Sequence, residues 1–351
     1  MYHHHLPSLK QSGFTLPAEW HPQQAILLAW PKNPDTWPGH LPEAQECFIP
    51  FIREIADHQN VWLLVESSEQ EQLVRNRLLL GGVQIDRVTF FQIPYFDSWI
   101  RDYGPISLLN HDQKQRLFLD WTFNAWGDKY SAAYSLDNQV TPKLAQLLDQ
   151  EKFSIPFVLE GGSIDANGEG ILLTTKDCLL NQNRNAHFTA SEIEATLSQY
   201  LGIKKIIWLD GEIQGDDTNG HVDDAARFVN PNTIVYIHEE DSSDQNYKAL
   251  QTLETSLKEA RDLNGRPFHL VRLPMPNPVV IDGERLPASY ANFLITNQKV
   301  LLPSYGCPQD QIAQSILQEL MPNHKVVLID AVHLVLGYGS LHCLSQQIPA
   351  V

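Results

Sequence analysis

Thr233-Ile-Val-Tyr-Ile237, followed by a run from Tyr247 to Leu263 and then by Phe268-His-Leu-Val-Arg-Leu273, is the stretch that decides the fold class. The outer segments are short and apolar, which suits buried strands, and the middle run has the length of a helix. Strand, helix and strand in this order make one crossover unit of an α/β chain. The unit returns at Ile171-Leu-Leu-Thr174, about Ser191 to Tyr200, and Lys205-Ile-Ile-Trp-Leu209. It returns again at Lys299-Val-Leu-Leu302, Gln309 to Leu320, and Lys325-Val-Val-Leu-Ile329. Near the N-terminus, Ala25-Ile-Leu-Leu-Ala-Trp30 ends at Pro31. A helix over Glu43 to His58 then shows apolar spacing at Phe48, Phe51, Ile52 and Ile55. Val61-Trp-Leu-Leu-Val65, a helix over Glu69 to Leu80 and a strand over Asp86 to Ile93 complete that part. Units about sixty residues apart are the internal period of a toroidal or solenoidal repeat. No Pro/Ser linker or charge block divides them, so one domain spanning 1–351 is expected.

Composition narrows the function classes. Hydrophobic residues make up 43% and charged residues 19% of 351, an ordinary globular balance without the signature of disorder. No run of eighteen apolar residues occurs, so neither a membrane span nor a signal peptide is expected. The net charge of −17 argues against a nucleic-acid partner, which needs clustered Lys and Arg, and favours a small cationic one. The histidines His3 to His5 are set aside, because an expression remnant would look the same. The four cysteines, Cys47, Cys178, Cys307 and Cys343, form no CxxC pair and no zinc-knuckle spacing. They read as free thiols in a reducing compartment, and a cytoplasmic location is expected.

Cys47 and Cys178 suit the role of small buried hydrophobes. Cys343 does not, because it follows His342 in Gly337-Tyr-Gly-Ser-Leu-His-Cys343, where two glycines free the backbone and polar residues come next. Three further loops hold polar residues that packing does not require. Asp97-Ser-Trp-Ile-Arg-Asp-Tyr-Gly-Pro105 crowds two acids, an arginine and an aromatic behind a strand, where α/β proteins place sites. A salt bridge from Arg101 bracing a turn would account for it equally well. Leu159-Glu-Gly-Gly-Ser-Ile164 suggests close backbone approach beside Glu160, or an incidental acid in a glycine turn. In Asp216-Asp-Thr-Asn-Gly-His-Val-Asp-Asp-Ala-Ala-Arg-Phe228, His221 and Asp223 lie two apart and would share one side of an extended segment.

A metal held by His221, Asp223 and Cys343 is conceivable, but no second histidine at helical spacing joins them, and Cys, His and carboxylates together suit covalent catalysis better. Several carboxylates in one pocket are costly unless a cation neutralises them. A guanidinium is the apt cation, since it is planar, permanently charged and presents paired N–H groups to carboxylate oxygens. Its central carbon would then lie within reach of a thiol.

The chain is similar to the family shared by agmatine deiminases and bacterial peptidyl-arginine deiminases. The motifs that carry the resemblance begin at Leu16-Pro-Ala-Glu-Trp-His-Pro-Gln23 and Trp30-Pro-Lys-Asn-Pro-Asp-Thr-Trp37. They continue through Trp99-Ile-Arg-Asp-Tyr-Gly-Pro105, Asp120-Trp-Thr-Phe-Asn-Ala-Trp-Gly127, Glu160-Gly-Gly-Ser163 and Thr218-Asn-Gly-His-Val-Asp223. Ser289-Tyr-Ala-Asn-Phe-Leu-Ile-Thr296 and His342-Cys343 complete the set. The resemblance implies a five-bladed α/β propeller with pseudo-fivefold repeats, the pentein fold, with its site in a central channel. It implies Cys343 as nucleophile, His221 as acid and base, and Glu160 as the residue holding and polarising His221. Asp102 and Asp223 would clamp the guanidinium, and Trp99 and Asp97 would shape the pocket around the alkyl chain. The implied reaction is hydrolytic deimination of agmatine to N-carbamoylputrescine and ammonia, a step of putrescine synthesis, through a covalent thiouronium and without metal or organic cofactor. A homodimer is expected on the same ground. Peptidyl-arginine deimination is the alternative, amidino transfer a third outcome, and a non-catalytic binding module a fourth, disfavoured because both Cys343 and His221 are present.

Two departures stand out. Tyr338 and Ser340 occupy a loop that commonly reads Gly-Gly-Gly-Asn-Ile-His-Cys in the family, and the segment between Leu273 and Ser289 is shorter than in agmatine deiminases. Both bear on the substrate more than on the reaction.

Overall fold

A computed structural model describes residues 9–110, 112–130 and 132–351; His3–His5 lie outside the described residues. Five sheets follow one plan. In each, an antiparallel pair is extended by a parallel strand that the chain reaches through a crossover helix. The second sheet pairs β4 (Ile106–Asn110) antiparallel with β5 (Gln115–Thr122) and β5 parallel with β6 (Lys152–Val158), across the helix Val140–Leu147. The third joins β7 (Asp165–Ala166), β8 (Ile171–Thr175) and β9 (Lys205–Leu209) around the helix Ala190–Leu201. The fourth joins β10 (Ala226–Asn230), β11 (Thr233–His238) and β12 (His269–Pro274) around Tyr247–Glu259. After a small hairpin, Val280–Ile281 with Glu284–Arg285, the fifth joins Leu294–Ile295, Lys299–Ser304 and Lys325–Asp330 around Gln309–Leu320.

The first sheet closes the chain on itself. Its antiparallel strand is the last of the protein, Ser345–Pro349, which pairs with β1 (Gln23–Ala29) from Gln23 opposite Pro349 to Leu28 opposite Ser345. β2 (Asn60–Val65) and β3 (Val88–Gln92) then add in parallel. The β1 burial pattern explains the pairing, because every residue from Ala25 to Ala29 is buried, as a strand covered on both faces requires.

The expected crossover units are present, with ends that shift by a few residues: the strand expected over Asp86 to Ile93 is Val88–Gln92, because Ile85–Arg87 forms a 3-10 turn, and the helix expected over Glu43 to His58 is Leu41–Ala56. The helix expected to run to Leu263 ends at Glu259, because Ala260 turns to φ −62°, ψ 142° and the chain forms a bridge between Arg261 and Pro267. No helix among the described residues is long and apolar enough to cross a membrane.

The antiparallel strands place the functional loops. The segments carrying Asp102, Glu160, His221 with Asp223, and Cys343 each run directly into the first strand of a sheet: β4, β7, β10 and the last strand. The fifth sheet has its counterpart in Asn292, two residues before Leu294.

Candidate active site

Short helical turns in these loops aim the polar side chains inward. Asp102 sits on the single turn Ile100–Tyr103, and Gly161–Ser163 forms a 3-10 turn after Glu160. His221 precedes the 3-10 turn Val222–Asp224, its backbone N–H bonded to Thr218 Oγ1 at 3.0 Å. His221 and Asp223 therefore lie on a turn and not on the extended segment expected from their spacing. They still face one point, and Gly162 marks it. A Cβ there would come within 2.6 Å of His221 Nδ1, 2.9 Å of Asp102 Oδ1 and 3.1 Å of Asp223 Oδ2. A side chain at 162 would fill the space these three groups enclose.

Asp102 is buried and fixed by two donors: Gly162 N–H to Oδ1 at 3.0 Å and Trp126 Nε1–H to Oδ2 at 2.9 Å. His221 Nδ1 lies 3.7 Å from Asp102 Oδ1, and neither ring nitrogen has a hydrogen-bond partner. Asp223 Oδ2 is 2.6 Å from His342 Nδ1 and 3.6 Å from Cys343 Sγ, while its Oδ1 is unpartnered. Asn292 Nδ2–H donates to Cys343 Sγ at 2.9 Å and to Asp224 Oδ1 at 2.9 Å. The Asn292 Oδ1 accepts from Ser340 Oγ and from the His342 N–H, at 2.9 and 3.0 Å. Asn292 thereby ties the cysteine loop to the loop of Asp224.

Glu160 departs from the expectation that it holds His221. Its Oε1 accepts from Arg184 Nε at 2.6 Å with both side chains fully buried, and Oε2 has no partner. Glu160, His221 and Cys178 each bring one donor atom within 4.8 Å of the others. Cys178 is thus buried in an apolar cluster with Leu172 and Leu179, as expected, and also borders the site. Among the described residues, Glu160, Cys178 and His221, and separately Asp223, Asp224 and Cys343, are the donor groups that could hold a metal, so the set weighed from sequence is split between two clusters. Arg101 braces the cysteine loop: its Nε donates to the His342 carbonyl at 3.2 Å and its Nη1 to Gln347 at 2.6 Å. This contact takes the place of the turn-bracing salt bridge considered above.

Burial and crowding set the protonation states. Burial pushes the Cys343 thiol well above its ordinary value, and the carboxylates of Asp223, Asp224 and Asp102 push it further. Burial also lifts Asp102 to about 6, against the pull of His221. Burial alone would lower His221, but the Asp102 carboxylate together with neighbouring Cys178 and Glu160 outweighs it and holds the ring well above the ordinary histidine range. Asp223 is buried too, yet His342 holds it below the usual carboxylate value.

A cavity of about 170 Å³ leads to Cys343 and Asp102. Its walls include Asp97, Trp99, Trp126, Tyr130, Asp217 and Tyr338. Trp99 stacks against Trp37 with ring centroids 5.6 Å apart. Asp97 accepts from Thr36 Oγ1 at 2.5 Å and Asn33 Nδ2 at 3.2 Å. Tyr338 takes a left-handed backbone, φ 69°, where glycine would be unstrained, and its hydroxyl donates to Glu284 Oε1 at 2.9 Å.

The structure thus brings Cys343, His221, Glu160, Asp102 and Asp223 together and puts Trp99 and Asp97 on the cavity wall. Sequence reasoning missed Trp126, Asn292, Arg184 and Asp224. Trp126 and Asn292 lay inside stretches already singled out, and Asn292 would follow from asking what the fifth repeat contributes. Arg184, in Asn181-Gln-Asn-Arg-Asn185, carried no signal.

Residues 15–349 match the family described as Porphyromonas-type peptidyl-arginine deiminase. An agmatine deiminase of Pseudomonas syringae pv. tomato is 36% identical over 363 residues, covering 97% of each chain. The solved agmatine deiminase of Enterococcus faecalis superposes with a TM-score of 0.91 at 34% identity, covering 98% of each chain. That of C. jejuni superposes with a TM-score of 0.84 at 35% identity, covering 95% of this chain and 96% of its own.

Proposed function

The chain belongs to the Porphyromonas-type peptidyl-arginine deiminase family, and from that premise we propose that it hydrolyses agmatine to N-carbamoylputrescine and ammonia. The observation that carries this reading is a pair of buried acceptors without donors, Asp223 Oδ1 and Asp224 Oδ2, beside the buried thiol of Cys343. A guanidinium supplies the missing donors and the missing charge together.

The mechanism follows from the protonation states. Without substrate Cys343 is a neutral thiol and His221 an imidazolium, so the histidine is no base for the thiol. Binding a guanidinium against Asp102 and Asp223 offsets the carboxylates that raise the thiol, and Cys343 gives up its proton to solvent. The thiolate adds to the guanidinium carbon. The tetrahedral adduct collapses as His221 protonates the departing nitrogen, which leaves as ammonia, and a thiouronium remains on Cys343. The now neutral His221 takes a proton from water as its oxygen adds to the same carbon. The C–S bond then breaks as the adduct's hydroxyl gives up its proton, releasing the ureido product and the thiolate, which is reprotonated, while the proton lost earlier by Cys343 converts the ammonia to ammonium. Guanidinium plus water gives urea plus ammonium, with no change of oxidation state. Glu160 acts with Arg184, fixing the loop beside His221 and adding negative charge next to the imidazolium.

Five sheets of one plan, each running a loop towards the site, support a five-bladed propeller as the arrangement. Free cysteines suit the cytoplasm, and a homodimer completes the reading. Peptidyl-arginine as substrate is not favoured, since the relatives described above are agmatine deiminases and a cavity of about 170 Å³ suits a small linear amine better than a peptide. Agmatine, free arginine and an arginyl peptide assayed side by side for ureido product test the choice. Turnover of agmatine that disappears in Cys343→Ala is expected; turnover of the peptide alone would overturn it.

A further inference from the structure

His342 stood out in the sequence beside the cysteine, and the reaction above gives it no task. Its surroundings are specific. The ring is 2% exposed, Nδ1 lies 2.6 Å from Asp223 Oδ2, and Nε2 lies 2.8 Å from Glu19 Oε2. Both nitrogens face carboxylate oxygens, so the ring bridges Asp223 and Glu19. Glu19 is itself immobilised: Arg227 Nη2 donates to Oε2 at 2.5 Å and the Ile295 N–H to Oε1 at 2.6 Å. Arg227 is anchored in turn by Asp165 Oδ1 at 2.9 Å and by the carbonyls of Ala291 and Phe293 at 3.3 and 2.9 Å. A rigid chain of bonds therefore runs from β10 through Glu19 and His342 to one oxygen of Asp223, and the other oxygen is left bare.

We propose that His342 is the positioning residue for Asp223, pinning Oδ2 so that the carboxylate is held in place beside Cys343 for the reacting guanidinium. The inference rests on the role given to Asp223 above. His342 touches no reacting atom, but without it Asp223 would sit among Asp102, Asp224 and Cys343 with less opposing charge. The basic groups that face Asp223 are His342, His221, Arg227 and Arg101, and only His342 bonds its carboxylate directly. Removing that bond frees the carboxylate to rotate and to take up a proton. Guanidinium binding is lost first, before the covalent steps.

His342→Gln, which can return one of the two contacts, and His342→Leu, which returns neither, are compared with Asp223→Asn and the unaltered protein. A charge-assisted hydrogen bond of about 1.5–3 kcal/mol corresponds to roughly a 10- to 100-fold effect. We expect KM for agmatine to rise by about that factor in His342→Leu and less in His342→Gln, with kcat less affected and the acid limb of kcat/KM moved to higher pH. A merely structural role would lower active enzyme without moving the limb. Wild-type KM and limb in both His342 variants, with Asp223→Asn impaired, would overturn the positioning role and leave the deiminase reading intact. If Asp223→Asn also kept full turnover, the role of Asp223 would fall with it. Should the variants not fold, the unaltered protein still decides by NMR. A far-downfield Nδ1–H proton, absent in Asp223→Asn, is expected, and its absence from the unaltered protein overturns the inference.

Discussion

Two buried charge clusters meet at His342, and they differ in one respect. On the side of Arg227, every polar atom is used: Glu19, Asp165, Arg227 and the ring of His342 all have partners. On the side of Cys343, atoms of Glu160, His221, Asp223 and Asp224 lie buried with none. Buried polar groups are nearly always paired, and leaving one unpaired costs about 1–3 kcal/mol, more if charged. The first cluster is therefore complete as folded. The carboxylates of the second are completed by a ligand that brings donors and positive charge.

The contrast can be broken by exchanging what each cluster lacks. Asp102→Asn or Asp223→Asn removes an acceptor for the guanidinium and should lower kcat/KM for agmatine by about 100-fold while the fold persists, as truncating one side of a buried charge pair costs about 2–5 kcal/mol of binding. Steady-state kinetics beside a thermal melt check it, and equal losses of activity and stability would erase the distinction. Arg227→Met should do the reverse. It leaves Glu19 and Asp165 buried without their cation and should cost about 3–5 kcal/mol of folding stability, read by denaturant unfolding.

Asp102 sharpens the comparison through pH. Its value is raised from 3.8 to about 6, so kcat/KM should fall as pH drops through about 6, where the carboxylate is lost. The stability sign is opposite. A carboxyl raised in the folded state favours folding while protonated, and that contribution is lost between pH 3.8 and about 6 as pH rises. Asp102→Asn should therefore gain stability relative to the unaltered protein over that interval while losing activity. The smallest effect is expected at Tyr338→Gly. Relief of the left-handed backbone, about 1 kcal/mol, opposes loss of the bond to Glu284, so stability should change by less than about 1 kcal/mol while KM shifts a few-fold.

Much of this was legible in the residues. Short apolar runs marked β2, β8 and β11, because burial on both faces demands them, and the run Ile206-Ile-Trp-Leu209 marked the half-buried β9. Two of the antiparallel partners were not visible, since Asp165–Ala166 and Leu294–Ile295 are two residues each and carry no periodicity. The loops of Asp102, Glu160, His221 and Cys343 were recognisable as polar residues without a packing task. What they bond was not. The partner of Glu160 is Arg184, 24 residues on, and the partner of His342 is Glu19, 323 residues back, and neither distance leaves a mark on a linear pattern. Asn292 was hidden for another reason: an asparagine near a short strand is ordinary until the fivefold plan asks what the fifth loop supplies.

The claim that the open cluster is closed by a cation can be measured without turnover. Agmatine and its ureido product, which share a tail and differ in head charge, are titrated into Cys343→Ala protein by calorimetry. The account predicts that agmatine binds at least about 10-fold more tightly and that Asp102→Asn or Asp223→Asn narrows the gap. Equal affinity for the two heads would contradict it.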